Sequence, residues 1–216
     1  NLGIRAAIGD VILTLNADTV VPTGVIAETA ARIANDHRVG VGAVRLVEPS
    51  GRTQKSVRGW PTVIGIAGDI LGLSRFSPGS VWDSYRYNGF DYDKTQNAPQ
   101  PMGTYLLFKR EALQSLDHPE FDEQFPIFFN EVDLLYRLQQ QGWSCTYFAD
   151  LSITHYGGES TKQVKKPMVW ESHRSLYRYL NKHTKGAARL ALPLLWMVIT
   201  VGAFVRARGW SAGFRP

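Results

Sequence analysis

The stretch "VILTLNADTVVP", Val11 to Pro22, decides how the chain is read. Its first five residues are apolar and rich in β-formers, as in a strand buried within a parallel sheet. The run then stops abruptly at Asn16-Ala17-Asp18. Both polar residues suit turns and helix caps, so a turn accounts for them. A ligand site also accounts for them, because open α/β sheets bind ligands outside the carboxyl ends of their strands.

Outward from that strand the pattern alternates. Residues 1–10 read as the end of a helix. Pro22 to Asn35 opens on proline and places Val25, Ile26, Ala30 and Ile33 at helical spacing, which predicts a helix. "VGVGAVRLV" (39–47) is the next strand and "EPSGR" its turn. Strand, helix, strand predicts a parallel crossover unit. Residues 53–100 hold Gly, Pro, Ser and many aromatics with no convincing period, and read as a long excursion over one face. "PMGTYLLFKR" (101–110) is a strand and "EALQSL" a short helix. A further helix runs from about Asn130 to Gln141, closed by Gly142. "SCTYFAD" and "SITHY" read as two short strands, and residues 167–183 as an amphipathic helix. The fold class is therefore α/β, a mixed sheet with flanking helices over residues 1–160. A helical basic and apolar tail follows over 161–216.

Composition bounds the rest. The chain has 216 residues, 44% hydrophobic and 20% charged, enough to bury a sizeable core. A single cysteine, Cys145, excludes an intrachain disulfide and a cysteine-based zinc cluster. The net charge of +5 is unevenly spread: residues 1–161 carry 13 Lys+Arg against 18 Asp+Glu, and residues 162–216 carry 11 against one. An acidic body with a basic tail predicts that the tail meets an anionic surface. No recognised nucleic-acid-binding motif accompanies that charge. The tail instead holds "LALPLLWMVITVGAFV", residues 190–205, between Arg189 and Arg206. A helix of that length spans about 24 Å, less than a hydrocarbon core of roughly 30 Å. It reads as an interfacial or re-entrant segment beside anionic lipid, with a buried core helix as the alternative.

Four polar groups fall at element ends, where a single crevice could collect them. Asp18 follows a strand, Glu131 and Asp133 open a helix, and His155 closes a strand. Each has an ordinary structural explanation: turn, helix-dipole partner, or satisfied histidine. Together they suit one chemistry. An Asp and a His hold a divalent ion such as Mn²⁺ or Mg²⁺, which neutralises a diphosphate leaving group. A carboxylate about one substrate away takes a proton from an attacking hydroxyl. The "HYGG" that follows the strand allows close approach of a ligand.

The ordered set "NLGIRAAIGDVILTLNADTVVP", "VGVGAVRLVEPSGRTQKSVRGWPT", "PMGTYLLFKREAL", "FDEQFPIFFNEVDLLYRLQQQGW", "ITHYGGEST" and "SLYRYLNKH" resembles family 2 inverting glycosyltransferases of the GT-A fold, especially the bacterial rhamnosyltransferase-like branch. The resemblance runs from Asn1 to about His183. It implies a Rossmann-like nucleotide-diphospho-sugar transferase sheet. "NAD" stands at the family's Asp-x-Asp position, so Asp18 is implied as the acid meeting the ion and Asn16 as its donor-side partner. "NEVDL" stands where the family commonly has Glu-Asp-x-Asp-Leu, which places Glu131 on the catalytic base and Asp133 on the second acid. His155 matches a histidine that completes the metal site. Gly103 and Thr104 match the small pair beneath sugar and acceptor.

The resemblance implies a nucleotide-sugar donor, with dTDP-rhamnose suggested, and a divalent cation. It also implies a glycan or lipid-linked acceptor at the cytoplasmic face of a bacterial membrane. The family's first strand and base-binding segments, about 70 residues by the usual domain size, are expected upstream of Asn1. The processive Gln-x-x-Arg-Trp motif is missing, and "QKSVRGW" (54–60) has different spacing, so transfer of one or a few sugars is expected. The alternatives are a non-catalytic sugar-nucleotide-binding fragment and a metal-dependent phosphoesterase. The second lacks the extra ligands that a two-metal site needs.

Overall fold

The computed structural model describes residues 1–157 and 165–208. They form two compact units. The first comprises Asn1–Arg58, Phe90–Asp122 and Glu131–Gly157; the second comprises, among the described residues, 59–89, 123–130 and 165–208.

The first unit is built on a mixed sheet. Helix α1 (Leu2–Ala6) leads into β1 (Val11–Leu15), β2 (Thr19–Val20), α2 (Val25–Ala34) and β3 (Val39–Val47). After β4 (Val57–Arg58) and α3 (Val63–Ile70) come β5 (Gln96–Asn97), β6 (Gln100–Pro101), β7 (Tyr105–Lys109) and α4 (Arg110–Gln114). Helix α5 (Asn130–Gln140) and strand β8 (Ser144–His155) follow. The sheet order is β1-β7-β3-β8-β2, with β5 also on β8; β4 and β6 form a separate ladder. Strand β7 is antiparallel to both β1 and β3, and β3 is parallel to β8. Strands β1 and β3 are thus parallel, as the crossover reading expects, but β7 lies between them.

The residues explain the packing. Val25, Thr29 and Ile33 form the buried face of α2, and Ile26 points to solvent. That face packs on Val44, Leu46, Leu107, Phe148 and Ile153. Close approach depends on Gly42, where a Cβ would come within 2.7 Å of Thr29 Cγ2 and 2.9 Å of Ile33 Cγ2. Burying Ile33 completely is worth about 1.5–3 kcal/mol.

Two expectations need correction. Residues 144–155 form one strand, not two. Its register against β3 slips between Val44↔Phe148 and Arg45↔Ser152. The extra residues include Ala149, whose carbonyl accepts from Arg45 Nε at 2.8 Å, and Asp150, whose carboxylate takes a bidentate pair from Arg32 of α2. The irregularity interrupts the alternation but not the ladder. The 53–100 stretch also has more structure than its composition suggests. Helix α3 lies within it, capped by Thr62 Oγ1 accepting from Gly65 N at 3.0 Å.

Helix α3 and 3-10 turns at Leu73–Arg75 and Val81–Asp83 belong to the second unit. Two glycines weaken the helical signal of "VIGIAGDI", yet they are what lets it pack. A Cβ on Gly68 would come within 2.5 Å of the Trp82 carbonyl oxygen. The unit also holds α6 (Lys165–His183), a 3-10 stretch Gly186–Ala191, and α7 (Leu192–Ala207). Leu192, Leu195, Ile199 and Ala203 form the buried stripe of α7, and Trp196 meets Tyr177 of α6 at 4.5 Å between rings. The opposite face of α7 stays apolar and exposed, with Leu194, Met197, Val201 and Phe204. The helical run Gly186–Ala207, 22 residues, is longer than the sequence alone suggested, and its length and composition suffice to cross a membrane.

Candidate functional site

The residues singled out in the sequence lie in the first unit, at the carboxyl ends of the parallel strands β1, β3 and β8. Strand β1 ends at Leu15, opposite Tyr105 of β7. One residue on, Asn16 N donates to Thr104 O at 3.0 Å, which brings the "NAD" turn beside Gly103-Thr104. Thr19 Oγ1 closes the turn by donating to Asn16 O at 2.7 Å. Strand β2 then pairs Thr19 with His155, and Tyr156 N donates to Asp18 O at 3.0 Å. Asp18 and His155 are therefore held together by backbone pairing. Asp18 Oδ2 lies 3.6 Å from His155 Nε2, with the His155 side chain 8% exposed and that of Asp18 34%.

That separation is too long for a good hydrogen bond, and it fits two ligands on one divalent ion. Among the described residues no group of three or more His, Cys, Asp or Glu converges. Donors beyond Asp18 and His155 would come from phosphate oxygens and water, the usual coordination of Mg²⁺-type ions at phosphate sites.

At the other side of Gly103-Thr104 stands Glu131. Helix α5 begins at Asn130, and the preceding Phe129 has φ 67°, a left-handed backbone that bulky residues rarely adopt. Such strain clusters at functional sites. Gly103 touches the Glu131 side chain: a Cβ there would lie 3.2 Å from Glu131 Cγ. The residue is partly exposed, but its Oε2 is cut off from solvent. Loss of hydration pushes the Glu131 carboxyl up, opposed by the N–H groups of Glu131, Gly103 and Val132 that face it. A carboxyl raised in this way is, once ionised, a stronger base than an ordinary glutamate, as proton abstraction requires. Thr104 is buried, and its hydroxyl has no hydrogen-bond partner among the described residues.

Asp133 is placed differently. It is fully buried and pairs with Arg137 one turn on, Nε to Oδ2 at 2.8 Å. Arg137 also donates to the carbonyls of His118 and Glu120. The pair ties α5 to the 118–120 loop. Two residues lie outside the predicted set: Arg137, although an Asp-to-Arg spacing of four on a helix is a readable ion-pair signal, and Gln54, which contacts His155. Gln54 lies in the "SGRTQKSVR" segment that carries part of the resemblance. Of the glycine pair after His155, Gly157 has φ +69° and sits beside the imidazole, whereas Gly158 lies outside the described residues.

Asn16, Asp18, Gly103, Thr104, Glu131 and His155 thus share one rim of the sheet, linked by backbone hydrogen bonds and side-chain contact.

Comparison with known proteins gives three findings. The family model described as glycosyl transferase family 2 matches residues 1–117. An N-acetylglucosaminyl-diphospho-decaprenol L-rhamnosyltransferase of Mycobacterium tuberculosis, strain CDC 1551 / Oshkosh, is 24% identical over 193 residues, 88% of this chain and 60% of its own length. The same figures hold for that enzyme from strain ATCC 25618 / H37Rv. A mannosyltransferase from Pyrobaculum calidifontis, solved in complex with GDP-Man and Mn²⁺, is similar at TM-score 0.48 and 14% identity. That similarity covers 98% of this chain and 54% of the mannosyltransferase. The chain spans about 60% of the length of the curated relatives it matches.

Proposed function

The chain belongs to glycosyl transferase family 2, and from that premise we propose that its protein transfers a sugar from a nucleotide diphosphate donor with inversion. The observation that carries the reading is the continuous rim. Glu131 touches Gly103, Thr104 holds Asn16, and the turn from Asn16 leads to Asp18 beside His155. A desolvated carboxyl stands at one end and the Asp18–His155 pair at the other.

The donor diphosphate lies against Asp18 and His155. Asp18 and His155 would hold a divalent cation there, and when bound it would supply positive charge against the departing diphosphate. Gly103 and Thr104 form the floor beneath sugar and acceptor, between the Asp18–His155 pair and Glu131. Glu131, as carboxylate, takes the proton of an acceptor hydroxyl. The oxygen bonds to the anomeric carbon as the bond from that carbon to the diphosphate breaks on the opposite face. The nucleotide diphosphate leaves, and the configuration inverts. Asp133 serves as a positioning residue, through its pair with Arg137.

The acceptor is a lipid-linked glycan precursor and the transferred sugar rhamnose, both supported by the named activity of the mycobacterial relatives; the dTDP carrier is taken from the sequence resemblance alone. The exposed apolar face of α7, with Arg189, Arg206 and Arg208 at its ends, rests on the anionic cytoplasmic face of a bacterial membrane.

The test is nucleotide diphosphate release from a panel of nucleotide sugars with Mn²⁺ and a lipid-linked acceptor, using the full-length protein. Release from one donor, lost on chelation and in Asp18→Ala, supports the proposal. Donor binding with no release from any sugar under these conditions would favour a non-catalytic module.

A further inference from the structure

Gln54 makes two hydrogen bonds to one residue of the rim. Its Nε2 donates to the backbone carbonyl of His155 at 2.9 Å, and its Oε1 lies 2.8 Å from His155 Nδ1. A carbonyl oxygen only accepts, so the amide nitrogen must face it. The amide oxygen is thereby fixed toward Nδ1, and an amide oxygen only accepts. Nδ1 must therefore carry the proton, and in the neutral ring Nε2 carries the lone pair. Nε2 is the atom that faces Asp18 Oδ2.

The clamp is itself anchored. Gln54 N donates to Leu46 O at 2.8 Å, and Thr53 bridges to Val47 at the carboxyl end of β3. Leu46 pairs with Ile153 on β8, two residues before His155. The donor and acceptor of the amide therefore hang from the strand that neighbours the histidine. Gly157 completes the surround: a Cβ built on it would lie 3.6 Å from the imidazole Cε1 and 4.0 Å from Gln54 Nε2.

We propose that Gln54 is a positioning residue that locks His155 as the Nδ1–H tautomer and so presents Nε2 to a divalent cation shared with Asp18. Outer-shell hydrogen bonds of this kind fix ring orientation and tautomer in metal sites. The inference rests on the cation reading above and assigns a role to a residue outside the reacting groups.

The test uses ¹⁵N-histidine-labelled chain without metal, with long-range ¹H–¹⁵N spectra reading the His155 tautomer. Mn²⁺ binding to wild type, Gln54→Ala and Gln54→Glu is followed by loss of the free-ion electron paramagnetic resonance signal. Wild type should show the Nδ1–H form. Gln54→Ala should lose it and bind Mn²⁺ about 10–100-fold more weakly, the usual cost of an outer-shell partner. Gln54→Glu keeps an acceptor opposite Nδ1 and should restore the tautomer, with thermal melts confirming that each variant folds. A wild-type protein that binds Mn²⁺, with tautomer and affinity unchanged in folded Gln54→Ala, overturns the role of Gln54 alone. A wild-type protein that shows the tautomer but binds Mn²⁺ neither alone nor with a nucleoside diphosphate overturns the cation reading, and the metal role of Gln54 with it.

Discussion

Gly103 lies directly against the side chain of Glu131, where a Cβ would meet Glu131 Cγ at 3.2 Å and its Cδ at 3.4 Å. One position thus supplies an N–H toward the carboxylate and the space that the carboxylate occupies. Gly103→Ala should push the carboxylate by a few tenths of an ångström. Misplacing a catalytic group lowers rate steeply, so kcat should fall about tenfold to a hundredfold. Donor affinity and thermal midpoint should change little. An unchanged kcat in the folded variant would detach Gly103 from the chemistry.

The burial of Glu131 has a sign in pH. Its carboxyl is raised in the folded chain, so the folded state holds the proton to higher pH than the unfolded state does. That contribution to stability is fully present below the unfolded value, about 4.3 for glutamate, and is lost as pH rises through the raised folded value. Glu131→Gln removes the titration. Urea melts should show the variant gaining on wild type as pH rises above that unfolded value. The opposite trend would mean that the carboxylate is better solvated than its surroundings suggest.

Asp133 and Arg137 form a pair with Asp133 fully buried and Arg137 partly exposed, at 18%. Removing one partner leaves a buried charge uncompensated, at a cost of about 3–5 kcal/mol. Asp133→Ala and Arg137→Ala should each destabilise by about that amount, and the double variant by much less than their sum. Additive losses in a double-mutant cycle would show that the two side chains do not act together.

For α7 the prediction concerns its exposed face. Met197→Glu with Val201→Glu places two charges opposite the stripe packed on the protein. Flotation with vesicles containing anionic lipid should recover wild type and lose the variant, and raising salt should weaken the wild-type association. Equal recovery of both proteins would move membrane contact elsewhere.

The order of the main elements was legible because hydrophobic period carries it. Val39–Val47 is one strand as read, α2 differs by a few residues at its start, and Gly142 closes α5 with φ 89°. What was missed lay in contacts distant in sequence. The insertion of β7 between β1 and β3 depends on antiparallel pairing that no local pattern encodes. The continuity of β8 is hidden by residues held by Arg45 and Arg32. Helix α3 has poor local propensity and is held by packing across its glycines. The ends of strands β1 and β8 gave up Asp18 and His155 because polar residues interrupt apolar runs there. Gln54 gave no such signal, since a glutamine after a turn is ordinary until the fold sets it against an imidazole 101 positions away.

In the proposed mechanism Glu131 is the base at a site whose other end binds the donor through Asp18 and His155. Wild type and Glu131→Gln are compared in the full-length protein, with sugar transfer and donor affinity read in the same preparation. Transfer should fall by at least about a hundredfold, as expected for loss of a general base, with donor affinity unchanged. Near-normal transfer by Glu131→Gln would remove Glu131 from that role.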